Sequence, residues 1–312
     1  MKNEGQGKNW IFAIGVLVIL ALFSLFFALV LGSLFVPSEP LSLSGNVARI
    51  YVTGEILPDG SSSIFGSSGA SSQDIVDLIK KADENKEIKA LLIEINSPGG
   101  AAVASEDIVK AIKKSKKPSV ALIKDTGASG AYWVASATDV IVADPISITG
   151  SIGVLSSYLE FSGLMNKYGV GYERIVGGEY KDIGTPFRNL TDEERQLLQE
   201  QIDVVYDYFV KEVAANRNMS EEQMKGIATG MIYTGIRAKQ LGLVDVLGGE
   251  DEAEEAIKQK ANLTDVQIVD YKKKRTLIDV LTETLSRQSY TVGQGIGDSL
   301  VSKADQNLGV RT

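Results

Sequence analysis

A regular alternation of apolar runs and amphipathic patterns between residues 47 and 143 constrains the fold of this chain most. The apolar runs predict four strands, at Val47–Ile56, Ile88–Ile95, Ser119–Ile123 and Val140–Ala143. The segments between them predict helices that begin near Ser72, Ala101 and Ser129. Since strands and helices alternate, we predict an α/β fold, a parallel sheet with crossover helices. In such a sheet, reactive groups are expected beyond the carboxyl ends of the strands.

A serine occupies the joint between the Ser119–Ile123 strand and the helix that follows. Ser129 stands within Gly127-Ala-Ser-Gly-Ala131, where small neighbours let another chain approach closely. A tight strand-to-helix turn exposes a serine hydroxyl, and the helix N-terminus offers unpaired N–H groups to a developing anion. Ser129 is therefore our candidate nucleophile for attack on a carbonyl carbon. The alternative is an ordinary helix N-cap in a glycine-rich turn.

The composition limits the base that such a nucleophile could use. The chain contains no histidine and no cysteine. Every Ser-His-Asp arrangement, a thiol nucleophile and a Cys- or His-ligated metal site are therefore excluded. A lysine, a carboxylate or an N-terminal amine remains, and we favour a lysine. We expect neither a metal nor a cofactor, and the net charge of -8 argues against nucleic acid as a partner.

Lys181 differs from most lysines of the chain because its neighbours are glycine, tyrosine and isoleucine rather than a run of charges. We therefore expect Lys181 to be buried. Burial disfavours the charged ammonium, and a neutral amine can accept a proton from serine. The alternative is an edge-strand lysine that discourages aggregation.

A second glycine-rich loop, Asn96-Ser-Pro-Gly-Gly100, follows the Ile88–Ile95 strand. Its position predicts that it meets the Ser129 turn at the same edge of the sheet. The pair Gly99-Gly100 precedes a helix and can direct backbone N–H groups toward one point, as an oxyanion hole requires. An ordinary turn is the alternative, since glycine serves turns as readily.

The N-terminal region predicts a membrane anchor. Residues 11–32 are apolar apart from Gly15 and Ser24, and no charged residue lies between Lys8 and Glu39. A helix over this run would span about 33 Å, enough to cross a bilayer core. A cleaved signal peptide is the alternative, although its apolar region is usually shorter. Lys2 and Lys8 precede the run, so we expect a cytoplasmic N-terminus and an extracytoplasmic remainder.

We therefore divide the chain into five segments. They are a cytoplasmic N-terminus (residues 1–10), a transmembrane anchor (11–35), a linker (36–46), a catalytic domain (47–270) and a mobile or regulatory tail (271–312).

Four motifs in register resemble the signal peptide peptidase A family, in its short single-repeat form, of the ClpP/crotonase superfold. They are Asn96-Ser-Pro-Gly-Gly100, Gly127-Ala-Ser-Gly-Ala-Tyr132, Thr149-Gly-Ser-Ile-Gly-Val154 and Gly178-Glu-Tyr-Lys181. The resemblance implies that Ser129 is the nucleophile and that Lys181 is the general base. It places the oxyanion hole at Gly100 and Gly130, and a lysine-orienting serine at Ser151. Ala131 departs from the family, which more often has a second glycine there.

The family implies a serine endopeptidase of the cell membrane that hydrolyses remnant signal peptides. It also implies a dome-shaped homo-oligomer whose neighbouring subunits complete each other's sites. An octamer is one candidate, although the sequence does not fix the subunit number. Two other functions remain open from the residues, namely a crotonase-type acyl-CoA enzyme and a non-catalytic membrane scaffold of the same fold.

Overall fold

The computed structural model describes residues 14–27, 45–59 and 69–273. The chain divides between residues 44 and 45 into two units, and the described part of the first unit is one helix, α1, at residues 14–27. Among the described residues, no helix has both the length and the hydropathy required to cross a membrane. The rest of the predicted anchor, at residues 11–13 and 28–35, lies outside the described residues, as do residues 1–10 and 274–312.

The second unit alternates strands and helices. Its strands are β1 (Val47–Thr53), β2 (Ile56–Leu57), β3 (Ala70–Ser71), β4 (Ala90–Ser97), β5 (Ser119–Ala128), β6 (Val140–Ala143), β7 (Ile148–Gly150), β8 (Ile232–Thr234), β9 (Val246–Leu247) and β10 (Ile268–Tyr271). Its helices are α2 (Ser72–Glu84), α3 (Ala102–Lys114), α4 (Gly130–Ser136), α5 (Ser162–Lys167), α6 (Asp192–Asn216), α7 (Glu221–Ile227), α8 (Gly235–Gln240) and α9 (Glu250–Ala261).

The main sheet has the strand order β10-β1-β4-β5-β6-β9, and neighbours along this path are parallel. A further strand, β7, pairs parallel with the end of β5 and antiparallel with β8. The prediction of an α/β fold with a mostly parallel sheet is confirmed. This arrangement fits a ClpP/crotonase-like fold.

Both faces of the central strands are covered by apolar side chains. In β4, Leu91, Ile93 and Ile95 belong to a large core on one face of the sheet. Leu92 packs on the other face, in a smaller core that includes Ile257 of α9. Strands that are buried on both faces read as continuous apolar runs rather than as alternating patterns. The core therefore holds the carboxyl ends of β4 and β5 side by side.

The strand that leads to Ser129 is longer than the sequence predicts. Its pairing with β4 shifts register between Ile95 and Ser97 but continues to the Ser97–Gly127 pair, and on its other edge Thr126–Ala128 pair with β7 after Val120–Ile123 have paired with β6. The strand therefore continues to Ala128, directly before Ser129. Because β5 ends at Ala128 and α4 begins at Gly130, Ser129 alone forms the joint between strand and helix.

Residues 154–190 form an exposed segment, which we call the arm. It contains the short helix α5, and no strand forms within it. Large apolar side chains of the arm face solvent, among them Leu155, Leu159 and Ile175, which are 87%, 73% and 90% exposed. The arm is therefore a surface that the described part of this chain leaves uncovered.

Candidate active site

Ser129 sits at the turn between β5 and α4 with a left-handed φ of 55°. Positive φ is unfavourable for a residue with a Cβ, and such strain concentrates at functional sites. The Ser129 amide donates a 2.8 Å hydrogen bond to the Gly150 carbonyl, which fixes the turn. Its side chain makes no capping hydrogen bond to α4. The hydroxyl is therefore free for chemistry, and the simple N-cap interpretation does not describe it.

The Gly99-Gly100 turn lies against Ser129. Gly99 has a φ of 102°, and a Cβ placed there would lie 2.7 Å from the Gly130 nitrogen and 2.8 Å from the Ser129 Cβ. A Cβ on Gly130 would lie 3.5 Å from the Gly100 nitrogen. Only glycine permits this close approach of two backbone segments. The prediction that the two glycine-rich loops meet is confirmed.

The amides of Gly100 and Gly130 are the predicted oxyanion hole. Within the described part of the chain, neither amide donates a hydrogen bond to another protein group. The neighbouring backbone groups are paired with Ile56, since the Ile56 amide donates to the Gly99 carbonyl and the Ala101 amide donates to the Ile56 carbonyl. Two unpaired amides beside a free serine hydroxyl provide what an oxyanion hole needs.

Ser151 comes to the same place through β7. It also has a left-handed φ, 52°, and its amide donates a 2.8 Å hydrogen bond to the Met231 carbonyl. The preceding residue, Gly150, accepts a hydrogen bond from the Ser129 amide, so this bond links the backbone next to Ser151 to Ser129. Ser151 is half-buried. A second strained serine next to the first agrees with an orienting role, which stays a prediction.

These residues line one cleft of about 850 Å³. Gly100, Ser129, Gly130 and Ser151 lie on one side of it. The remaining lining is mostly apolar and comes from Pro98, Ala101, Ala102, Trp133, Gly153, Val154, Leu155, Val205, Tyr206, Phe209, Ala228, Thr229 and Gly230. Trp133 stacks on Phe209 at a ring-centroid distance of 5.0 Å and meets Tyr208 edge-on at 6.0 Å. The cleft therefore offers an apolar surface next to Ser129.

No lysine, arginine or carboxylate residue is among those that line this cleft in the described part of the chain. The cleft therefore brings together the predicted nucleophile, both predicted amide donors and Ser151, but supplies no base from the described residues. Nor do the described residues contain a group of three acidic side chains that could hold a metal ion.

Lys181 lies on the arm and is exposed, so the burial that we expect from its neighbours is absent. The glycines around Lys181 would permit another part of the protein to pack against it, but no described residues cover this side of the arm. Lys181 is not among the residues lining the cleft. The structure of one chain thus does not join it to Ser129, and its role as the base stays a prediction.

Two residues of the site carry no clear signal in the sequence. The buried Ser97 hydroxyl accepts a 3.1 Å hydrogen bond from the Gly99 amide and so holds the glycine turn in shape. Trp133, only 3% exposed, forms the cleft wall from the first turns of α4. The role of Ser97 could have been predicted from its place before a Pro-Gly-Gly turn, since short hydroxyl side chains commonly form hydrogen bonds with the backbone two residues further along the chain.

Ala131, where the family more often has glycine, does not narrow the cleft, because its methyl group lies in the core.

Comparisons with known proteins agree with this geometry. The sequence profile of peptidase family S49 matches residues 111–264. A putative protease of Methanocaldococcus jannaschii is 37% identical over 298 residues, which cover 93% of this chain and 94% of that protein. The putative signal peptide peptidase SppA of Enterococcus faecium is 37% identical over 74% of this chain and 68% of its own length. The chloroplastic serine protease SPPA of Arabidopsis thaliana is 34% identical over 82% of this chain and 36% of its own length.

Proposed function

This chain belongs to peptidase family S49 and is a serine endopeptidase, and from that premise we propose that it degrades remnant signal peptides with a Ser129–Lys181 dyad formed between neighbouring subunits. The observation that carries the proposal is the incomplete cleft. Ser129 and two free amides face the same space, while the described residues that line it include no base. Lys181 is exposed on the arm, where a second copy of the chain can receive it.

The chemistry follows from these positions. The neutral amine of Lys181 from a neighbouring subunit removes the proton of the Ser129 hydroxyl. The alkoxide attacks the scissile carbonyl carbon, and the Gly100 and Gly130 amides stabilise the oxyanion. Lys181 then gives its proton to the leaving amine as the acyl-enzyme forms. Water hydrolyses the acyl-enzyme with the same lysine as base, and Ser151 orients the amine by a hydrogen bond.

Signal peptides fit the site for two reasons. Their apolar side chains suit a cleft whose walls are Trp133, Val205 and Phe209. The Gly-rich rim can accept an extended peptide as an added strand, with main-chain hydrogen bonds that do not depend on sequence. Relatives named signal peptide peptidase and protease support the same substrate class. Membership of a peptidase family favours this function over the acyl-CoA enzyme and the scaffold.

The location and domain limits complete the proposal. We assign residues 11–35 to a single membrane-spanning segment, with residues 1–10 in the cytoplasm and a ClpP/crotonase-like catalytic domain, 47–270, on the outer side. Residues 36–46 are the linker and 271–312 a tail. A domain held on a short linker at the outer face would remain close to signal peptides that have been released into the bilayer. The exposed apolar side chains of the arm support a homo-oligomer.

The test uses two inactive variants separately and together. Ser129→Ala and Lys181→Ala should each lower peptide cleavage on the order of 10⁴-fold or more, with unchanged circular dichroism. The control Lys167→Ala removes another exposed lysine of the arm and should leave cleavage intact. If the two inactive variants are assembled together, subunits with Ser129 can meet neighbours with Lys181. A random one-to-one mixture should then recover about a quarter of the wild-type activity.

Full activity of either single variant would refute the dyad. Co-assembled variants that remain inactive would show that the lysine does not act across the subunit boundary.

A further inference from the structure

We propose that Arg188 and Asp182 are positioning residues that hold the loop carrying Lys181 in a fixed geometry against α6. The proposal rests on the proposed function of Lys181 as the base. It concerns residues outside the cleft, none of which is among the predicted site residues.

Asp182, the residue directly after Lys181, is held from two sides. Arg174 donates from Nε to both carboxylate oxygens, at 3.0 and 2.9 Å. Arg188 donates to the same carboxylate from Nε and Nη2, both at 3.0 Å. The side chain of Asp182 is only 12% exposed in this arrangement. Two forked guanidinium contacts fix both the position and the plane of the carboxylate.

Arg188 connects this carboxylate to α6. It donates from Nη1 and Nη2 to the two oxygens of Glu194, at 2.7 and 2.6 Å. Glu194 is buried, and it also accepts a 2.9 Å hydrogen bond from the Thr191 amide, which completes the capping box of α6. The same helix packs Phe209 and Val213 into the main core. A continuous chain of hydrogen bonds therefore joins the neighbour of Lys181 to the rigid part of the molecule.

The residues on the other side of Lys181 are also held. Arg174 donates a 2.5 Å hydrogen bond to the Glu179 carbonyl. The Tyr180 hydroxyl donates a 2.7 Å hydrogen bond to Glu193, and this contact raises the pKa of Tyr180 to about 12. The side chain of Lys181 makes no hydrogen bond or ion pair with any described residue. The loop thus fixes its backbone while leaving the amine available.

The charges of the cluster explain why its ion pairs persist over a wide pH range. Two guanidinium groups face two carboxylates, so the cluster adds no net charge beside Lys181. Hydrogen bonds from Arg188 and Arg174 hold the pKa of Asp182 well below its usual range. The contact with Arg188, together with the Thr191 amide, lowers the pKa of Glu194 to about 2. Both carboxylates therefore stay ionised, and the cluster stays paired, at any pH at which a lysine base works.

Arg188 is the partner of two little-exposed carboxylates, since the side chains of Asp182 and Glu194 are 12% and 6% exposed. Removing Arg188 leaves both carboxylates without this partner, so we expect Arg188→Gln to lower Tm, and kcat is compared at a temperature at which circular dichroism shows the variant folded. Misplacing a catalytic group by about 1 Å can cost on the order of 100-fold in rate, so we expect Arg188→Gln to lower kcat by roughly 10- to 100-fold with little change in KM. KM is expected to hold because Arg188 does not line the cleft. Arg188→Lys should restore only part of kcat, since an ammonium cannot pair in two forks at once.

Arg195→Gln is the matched control. Arg195 is an exposed arginine on the first turns of α6, and its side chain pairs with no described residue. This variant should keep the wild-type kcat. The positioning role would be overturned if Arg188→Gln and Arg195→Gln lowered kcat to a similar extent. It would also be overturned if Arg188→Gln raised KM and left kcat unchanged.

Mixed oligomers separate positioning from folding. In the mixture of the two inactive variants, the Ser129→Ala subunits supply the lysine and the Lys181→Ala subunits supply the serine. Arg188→Gln should therefore reduce the recovered activity only when it is placed in the Ser129→Ala subunit. Placed in the Lys181→Ala subunit, it should have no effect, and equal losses in both would overturn the proposal. If the parent mixture recovers no activity, the cross-subunit dyad fails instead, and the kcat comparison with Arg195→Gln still decides the role of Arg188.

Discussion

At the scale of single residues, Ser129 combines a strained backbone with the position that we propose for the nucleophile. Its φ of 55° and ψ of -126° are conformations that glycine adopts without cost and serine does not. The contact with Gly99 and the hydrogen bond to Gly150 hold the residue there. The folded molecule therefore keeps residue 129 in a backbone conformation that the isolated chain would avoid.

This strain predicts different stabilities for two inactive variants. Ser129→Gly and Ser129→Ala both remove the hydroxyl, but only the glycine also removes the Cβ that opposes a positive φ. We expect Ser129→Gly to exceed Ser129→Ala by about 1 kcal/mol in free energy of unfolding. Urea denaturation of the two variants measures the difference. Equal stabilities, or a more stable alanine variant, would show that the backbone at residue 129 is unstrained.

The sequence predicted the structural surroundings of Ser129 better than those of Lys181. Ser129 follows from local features, a strand, small residues and a helix start, all within ten positions. The meeting of Gly100 with Gly130 follows from strand order, because parallel neighbours end at one edge. Exposure of Lys181 could not be predicted in the same way, since glycine neighbours permit both burial and exposure. Only the structure shows that none of the described residues form a second layer over the arm.

At the scale of elements, the predicted alternation of strands and helices is confirmed from β1 to β6. Two features depend on distant partners and escaped prediction. The extension of β5 to Ala128 depends on β7, which pairs with Thr126–Ala128 where β6 has ended. The edge strand β10 pairs with β1 across the whole domain. Local patterns carry no information on such pairings, and β10 is too short to show a period.

The junction between the arm and α6 should respond to acid in a defined range. The pKa of Glu194 is lowered to about 2 in the folded chain, against about 4.3 when unfolded. A lowered pKa means that the carboxylate stabilises the fold above the unfolded value and loses this effect as the pH falls toward the folded value. We expect amide protection near residues 182–194, corrected for intrinsic exchange rates, to be constant from pH 7 to 5.

Protection should then fall between about pH 4 and pH 2, where Glu194 becomes protonated. Hydrogen exchange followed by mass spectrometry measures this profile, and helix α3 provides the internal control because no part of the ion-pair cluster touches it. Loss of protection already at pH 5 to 6 would show that the cluster does not hold the junction.

At the scale of the whole molecule, two observations have one explanation. The described chain leaves many large apolar side chains exposed along the arm, and the cleft beside Ser129 lacks a base among the described residues. Exposed apolar patches of this kind mark surfaces that another protein covers. A second copy that covers the arm would hide this surface and bring Lys181 to a neighbouring cleft. The requirement for assembly and the requirement for a base would then be met by the same contact.

A charge placed on the arm tests this link. Ile175 is 90% exposed, and burying such a side chain at an interface contributes roughly 1.5–3 kcal/mol, while burying an aspartate there is costly. We expect Ile175→Asp to shift the protein to smaller species in analytical ultracentrifugation and to lower cleavage by roughly 100-fold, with unchanged circular dichroism. The control Ile146→Asp changes an isoleucine that is 78% exposed outside the arm and should keep both assembly and activity. A dissociated Ile175→Asp protein that still cleaves peptides at the wild-type rate would show that one chain supplies its own base.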